Sequence, residues 1–311
     1  MMRILFMRTP DFALFSLRAL VEAGENVIGV VTQPDKPKGR GYTLTPPPVK
    51  VYATEQGLPV YQPATLRGED FSALLSELAP DLIVVVAFGK ILPASVLDYP
   101  KYGCINVHGS LLPEYRGAAP MQRAIIDGKR ETGITTMFMD VGLDTGDMLL
   151  VEKIEIAPND NFETVHDKLG ACGARVLLRT LDELRAGRLN RIRQDDALAT
   201  YAAKIEKGDC VIDFSKSAQT VHDQIRGLSP IPLAFTHTPD GKMLKVIASQ
   251  ISDTASSSVP GTVLSLTGGR ITVACKEGAV DLLTVLPEGK KRMSAADFIN
   301  GRRIAVGDIL Q

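Results

Sequence analysis

The run Cys104-Ile105-Asn106-Val107-His108-Gly109-Ser110-Leu111-Leu112-Pro113 sets a carboxamide and an imidazole two residues apart, where an apolar stretch gives way to a turn. On a buried strand, period-two geometry points Asn106 and His108 to the same side. In open α/β sheets the carboxyl ends of strands are where ligands bind. An amide donor beside an imidazole can stabilise a developing oxyanion and move a proton, the two demands of acyl transfer to an amine. The same pair also fits a strand end hydrogen-bonded for structural reasons, since apolar strands often end in polar turns.

Two other stretches carry candidate chemistry. Asp140-Val141-Gly142-Leu143-Asp144-Thr145-Gly146-Asp147 follows the apolar run Ile134 to Met139. Its carboxylate can reach and orient His108 if the two strands are neighbours, although the composition equally suits a plain tight turn. Asp140, Asp144 and Asp147 have neither calcium-loop spacing nor a His pair, so no metal is expected. Gln33-Pro34-Asp35-Lys36-Pro37-Lys38-Gly39-Arg40-Gly41 is a basic Pro/Gly loop. It suits holding phosphates or simply being solvated.

Positioning these groups requires a parallel sheet. The runs Ile4 to Met7, Val27 to Thr32, Leu82 to Ala87, Cys104 to Val107 and Ile134 to Met139 are apolar enough to be covered on both faces, and helix-period segments alternate with them. A helix from about Phe162 to Ala186 carries Val165, Leu169, Val176, Leu177, Leu181 and Leu184 on one stripe, with Gly187 as its stop. Residues 190–206 are polar and weakly periodic, as a linker would be. Beyond them, short runs at Val211 to Phe214, Leu244 to Ile247, Gly261 to Leu266, Ile271 to Ala274 and Val280 to Val285 read as a small barrel interrupted by a helix over Ser217 to Leu228. Ser294 with Asp297 is spaced to cap a last short helix.

The chain of 311 residues, 45% apolar, is long enough for two domains with their own cores. Its 35 Lys plus Arg against 36 Asp plus Glu give a net charge of −1, so any polyanion must be met by local patches rather than a global field. Residues 207–311 carry net +2 and the rest net −3, which favours the second domain as the polyanion-facing one. No apolar run reaches membrane-spanning length and no signal-peptide core is visible, so a cytoplasmic protein is expected. Cys104, Cys172, Cys210 and Cys275 are dispersed, without disulfide or zinc spacing. Without heptads, a monomer is the default.

Taken together, the motifs resemble the methionyl-tRNA formyltransferases nearly end to end. The matching stretches are Thr9-Pro10-Asp11-Phe12, Thr32-Gln33-Pro34-Asp35, Gly39-Arg40-Gly41, Val49-Lys50, Gly103 to Pro113, Arg116-Gly117-Ala118-Ala119-Pro120 and Met139 to Met148. The Asn-x-His-x-Ser-Leu-Leu-Pro run and the distal Asp are shared with the wider group of enzymes using 10-formyltetrahydrofolate. The basic loop and the C-terminal domain point to the tRNA enzyme.

The resemblance implies a Rossmann-like catalytic domain at 1–189, a linker at 190–206 and an oligonucleotide-binding-like β-barrel for tRNA at 207–311. It implies transfer of a formyl group from 10-formyltetrahydrofolate to the α-amine of methionine on initiator tRNA, with neither metal nor covalent enzyme intermediate. It assigns catalysis to Asn106, His108 and Asp144, and folate contact to Ser110, Leu111, Leu112 and Pro113. Lys36, Lys38 and Arg40 would meet the acceptor end, and Lys204 and Lys207 are available for backbone phosphates. Formylation of a small amine, an amino sugar or glycinamide ribonucleotide, is the alternative within the wider group. Arg8 stands where the family normally has Gly, so a tRNA- or folate-binding homologue with impaired catalysis is a further alternative. The family's Asn-Pro-Trp-Pro turn reads Ser229-Pro230-Ile231-Pro232, and its Ile-Asp-Trp reads Ile212-Asp213-Phe214. Both swaps keep an apolar group while losing an indole.

Overall fold

The computed structural model describes residues 1–8, 11–38, 43–86 and 92–311, the side chains of 8, 36–38 and 43 excepted. It divides into two compact units: 1–118, 132–154 and 166–202 form the first, and 119–131, 155–165 and 203–311 the second.

The first unit is built on a seven-stranded sheet. Its order is Val60–Tyr61, Val27–Val31, Ile4–Arg8, Leu82–Val86, Cys104–His108, Glu131–Phe138 and Met148–Glu155. The first five strands are parallel, and the order reverses at Ile4–Arg8, the arrangement of a doubly wound Rossmann-like sheet. Leu82–Val86 and Cys104–His108 are buried throughout, which explains their unbroken apolar character. Leu5, Met7, Ile83 and Val85 project every second residue into one core with Phe71, Leu75, Val96 and Cys104. Cys104 is a small core residue there, and burial pushes its thiol up to about 12. The run expected as a parallel strand at Ile134 to Met139 pairs antiparallel instead, Ile105 opposite Phe138 and His108 opposite Thr135. A run of apolar residues shows that a strand is buried but does not encode its direction.

The Phe162–Arg185 helix buries Val165, Leu169, Val176, Leu177 and Leu181 of the expected stripe, with Cys172 besides, while Leu184 is half-buried. The polar stretch after it does not hang free. Ile192 pairs with Met148, Tyr201–Ala202 pairs with Arg116–Gly117, and Gln194 is buried. The structure therefore ties residues 190–202, expected as linker, into the first unit by backbone pairing, which needs no apolar side chains.

In the second unit an antiparallel sheet runs Ala234–His237, Met243–Ser252, Ala279–Pro287, Ile271–Ala274 and Val263–Ser265, with irregular register along Met243–Ser252. This curled half-barrel has its two edges bridged by the C-terminal residues. Val263 N–H donates to Asp308 O at 2.8 Å and Leu310 N–H to Gly261 O at 2.9 Å, while His237 N–H donates to Gln311 O at 2.7 Å. Val211 to Phe214, expected as a strand, makes only an isolated bridge to Phe235, its Ile212 and Phe214 side chains entering the core from a turn. The Ala218–Gly227 helix is capped by Ser217, whose hydroxyl accepts from Thr220 N–H, and Ser294 caps Ala295–Asn300 through Asp297 N–H.

The Ala218–Gly227 helix also recruits the two earlier segments. Arg226 donates to Asp160 O at 2.8 Å and to the Asp223 carboxylate at 2.7 Å, and His222 Nε2 sits 3.3 Å from Pro158 O. Gly227 lets the Pro120–Ile126 helix approach, since a Cβ there would lie 2.7 Å from Ile126 Cγ1. Burial lowers the proton affinity of His222, and the adjacent Arg226 adds to the effect. The unfolded chain then takes up a proton that the folded one refuses, so this residue's contribution is intact above about pH 6.5 and is lost as pH falls. The denaturant midpoint is expected to drop from about pH 7.5 to about pH 5.5, with a shallower drop in His222→Asn. An equally steep drop in the variant would remove His222 as a cause.

Candidate active site

Asn106 and His108 lie at the carboxyl end of Cys104–His108, two residues apart and 8% and 6% exposed. His108 Nε2 is 3.0 Å from Tyr115 O. A carbonyl only accepts, so Nε2 carries a proton in this contact and Nδ1 is left for other work. Nδ1 faces Asp144 Oδ2 at 3.7 Å, a separation outside hydrogen-bond reach that places the two groups as a pair. The Asn106 carboxamide is buried and has no hydrogen-bond partner among the described residues. A buried amide without partners carries a desolvation cost that an incoming acceptor removes.

The turn after His108 is fixed from the neighbouring strand. Thr135, fully buried, donates through Oγ1 to Ser110 O at 2.8 Å and accepts from Leu112 N–H at 3.1 Å. Ser110 is itself buried, its hydroxyl donating to Glu114 O at 2.6 Å. Leu112 is buried too, whereas Leu111 and Pro113 are half-buried. Of the four residues expected to meet folate, Leu111 and Pro113 therefore keep apolar surface available, while Ser110 and Leu112 hold the turn from inside.

Asp144 sits in the loop between the strands Glu131–Phe138 and Met148–Glu155. Its Oδ2 accepts from Gly117 N–H at 2.8 Å. Oδ1 has no hydrogen-bond partner among the described residues. Asp144 holds φ at +53°, a region that a non-glycine residue occupies only when its surroundings fix it. Asp140 braces the loop, accepting from Gly142 N–H at 2.8 Å and from Thr145 Oγ1 at 2.5 Å. Val141 and Leu143 are exposed beside it.

Asn106, His108 and Asp144 are thus brought together. Arg40 lies outside the described residues, as do the side chains of Arg8, Lys36 and Lys38. Lys204 and Lys207 are exposed in the second unit, Lys204 lying 3.6 Å from Glu206. His166 is held at its ring by Asp11 at 3.6 Å and Asp167 at 2.9 Å, and Asp11 raises its proton affinity. It acts in helix packing against Phe12 and Phe15. Among the described residues there is no group of three or more His, Cys, Asp or Glu placed to hold a metal, and no helix long and apolar enough to cross a membrane. Two site residues carried no sequence signal of their own role: Arg116, which stands within a matching motif, and Gln194, alone in a polar stretch.

Residues 2–181 match the formyl transferase family and residues 204–303 the formyl transferase C-terminal domain. The methionyl-tRNA formyltransferase of Geotalea uraniireducens is 52% identical over 309 residues, 99% of this chain and 98% of the relative. Among solved structures, the N-formyltransferase from Helicobacter canadensis in complex with folinic acid and dTDP-3-aminofucose superposes with a TM-score of 0.68 at 17% identity, covering 91% of this chain and 99% of that one. HypX from Aquifex aeolicus in complex with tetrahydrofolic acid gives a TM-score of 0.65 at 17% identity, covering 98% of this chain and 48% of that one. The two structures show the shared fold, and the identity to the Geotalea protein goes further. With both halves matched, and with Asn106, His108 and Asp144 gathered at one sheet end, the chain belongs to the methionyl-tRNA formyltransferase family.

Proposed function

We propose that this chain transfers the formyl group of 10-formyltetrahydrofolate to the α-amine of methionine on initiator Met-tRNA, using Asn106, His108 and Asp144. The observation that carries the reading is the buried Asn106 carboxamide, unpartnered among the described residues, beside the His108–Asp144 pair. The surroundings suit a folate: Leu111 and Pro113 are half-buried, and Val141 and Leu143 expose apolar surface next to Asp144. When bound, the folate supplies a formyl group activated on nitrogen. Asn106 donates its N–H to the formyl oxygen as that oxygen gains negative charge. Asp144 Oδ1, without a hydrogen-bond partner among the described residues, accepts a proton from the attacking amine. His108 Nδ1, across the gap from Oδ2, serves as the second proton station, from which the departing folate nitrogen is protonated. Contacts from Lys36, Lys38 and Arg40 to the acceptor end, and from Lys204 and Lys207 to phosphates, would hold the tRNA without reading sequence.

The test is formyl transfer from 10-formyltetrahydrofolate to charged initiator tRNA, run beside a nucleotide-linked amino sugar. Asn106→Ala is expected to lower kcat by about 10²–10³-fold. Its unfolding midpoint should stay near the native one, because no partner among the described residues is orphaned. Full activity in that variant defeats the site. Formylation of the small amine but not the tRNA moves the acceptor assignment, and tRNA binding without turnover, restored by Arg8→Gly, identifies an impaired homologue.

A further inference from the structure

Asp144 is held at both ends. Its carboxylate takes the Gly117 N–H, and its main-chain carbonyl takes Gln194 Nε2 at 2.8 Å. The same Nε2 donates to Gly146 O at 2.8 Å, so one amide spans both sides of the turn that presents Asp144. Gln194 is 5% exposed, and its Oε1 accepts two bonds from Arg116, from Nε at 3.1 Å and Nη2 at 2.9 Å. Arg116 is 2% exposed and forms its ion pair with Asp196 at 2.8 Å. A buried guanidinium that spends two donors on a neutral amide fixes that amide's orientation. With Oε1 engaged, the NH2 group can only face the Asp144 loop.

Arg116 also immediately precedes Gly117, whose N–H holds the carboxylate, and the ribbon containing both is closed by Arg116 N–H to Thr200 O and Ala118 N–H to Ala202 O, each 2.9 Å. The carboxylate anchor and the carbonyl anchor therefore hang from one rigid piece. Gly117 is required there, because a Cβ would lie 2.8 Å from Ala202 O and φ is +122°.

We infer that Gln194 is a positioning residue of this enzyme: oriented by buried Arg116, it holds the Asp144 loop in its left-handed turn and so sets the carboxylate against His108 Nδ1. The inference rests on the catalytic reading above for its kinetic consequence and on geometry alone for its structural one. Gln194→Glu separates the two halves of the amide's work. The carboxylate still accepts from Arg116, but it offers nothing to Asp144 O and Gly146 O.

In the full-length protein, Gln194→Glu is expected to lower kcat for Met-tRNA formylation by about 100-fold with KM for both substrates unchanged, the signature of misplaced chemistry rather than lost binding. In an Asp144→Ala background the same substitution should cost less than about 3-fold, because the group it positions is gone. Amide hydrogen exchange gives a readout independent of activity. The Gly117 amide, which donates to the Asp144 carboxylate, should exchange at least about 10-fold faster in Gln194→Glu, while the Arg116 and Ala118 amides keep native rates. Faster exchange at all three means the ribbon has come apart and overturns the positioning role. Native Gly117 exchange overturns it as well, as does an unchanged kcat. A native protein that fails to formylate Met-tRNA defeats the functional reading instead, and the exchange rates then decide by themselves whether Gln194 holds Asp144.

Discussion

His108→Ala should reduce kcat for formyl transfer by about 10²–10⁴-fold, the range spanned by loss of a positioned proton donor and acceptor. It should also lower stability by about 0.5–1.5 kcal/mol, because the hydrogen bond from His108 Nε2 to the Tyr115 carbonyl, 3.0 Å long, is lost. His108→Gln separates these losses. Its amide can still donate to Tyr115 O, so the unfolding midpoint should recover towards the native value while kcat stays low. Steady-state kinetics on charged initiator tRNA and urea unfolding of the same preparations check both parts. A kcat within about 10-fold of native in His108→Ala would falsify the proton-transfer role.

The half of the candidate site proposed to do chemistry was legible because chemistry restricts residue type. Asn106 and His108 were readable from period-two spacing on an apolar strand, and the structure puts both at that strand's end, buried. Asp144 could be placed only conditionally, since its reach to His108 depended on two strands being neighbours. They are, through pairing of Cys104–His108 with Glu131–Phe138. Its antiparallel direction was not legible, because both directions bury the same side chains. The half of the site that positions was mostly hidden. Gln194 works through one amide, every other residue from 190 to 201 is exposed or half-buried, and no periodicity marks a single buried amide. Val211 to Phe214 shows the converse failure. Its apolar residues do reach the core, but through a turn, so composition gave burial correctly and strand wrongly.

Gly146→Ala should be the most damaging small substitution in the Asp144 loop, and Gly142→Ala, four residues earlier, gives the contrast that explains why. A Cβ at 146 would stand 1.8 Å from Phe138 O and 2.8 Å from its carbonyl carbon, both main-chain atoms of the strand that the loop leaves. That strand cannot yield locally. Phe138 N–H donates to Asp147 O at 2.9 Å, and Phe138 is paired with Ile105 beside Asn106. The loop must move instead, drawing Gly146 O away from Gln194 and Asp144 away from His108. At 142 the obstruction is Thr145 Oγ1 at 2.1 Å, a side-chain atom on an exposed turn that can rotate out of the way at the cost of its bond to Asp140. Gly146→Ala is therefore expected to cost about 1–3 kcal/mol of stability and about 100-fold in kcat. Gly142→Ala should stay within about 1 kcal/mol and about 10-fold. Unfolding midpoints and kcat for the two variants, measured side by side, decide it. If Gly142→Ala proves equally damaging, the loop works as a single rigid unit, and the close approach at Phe138 is not what sets the position of the carboxylate.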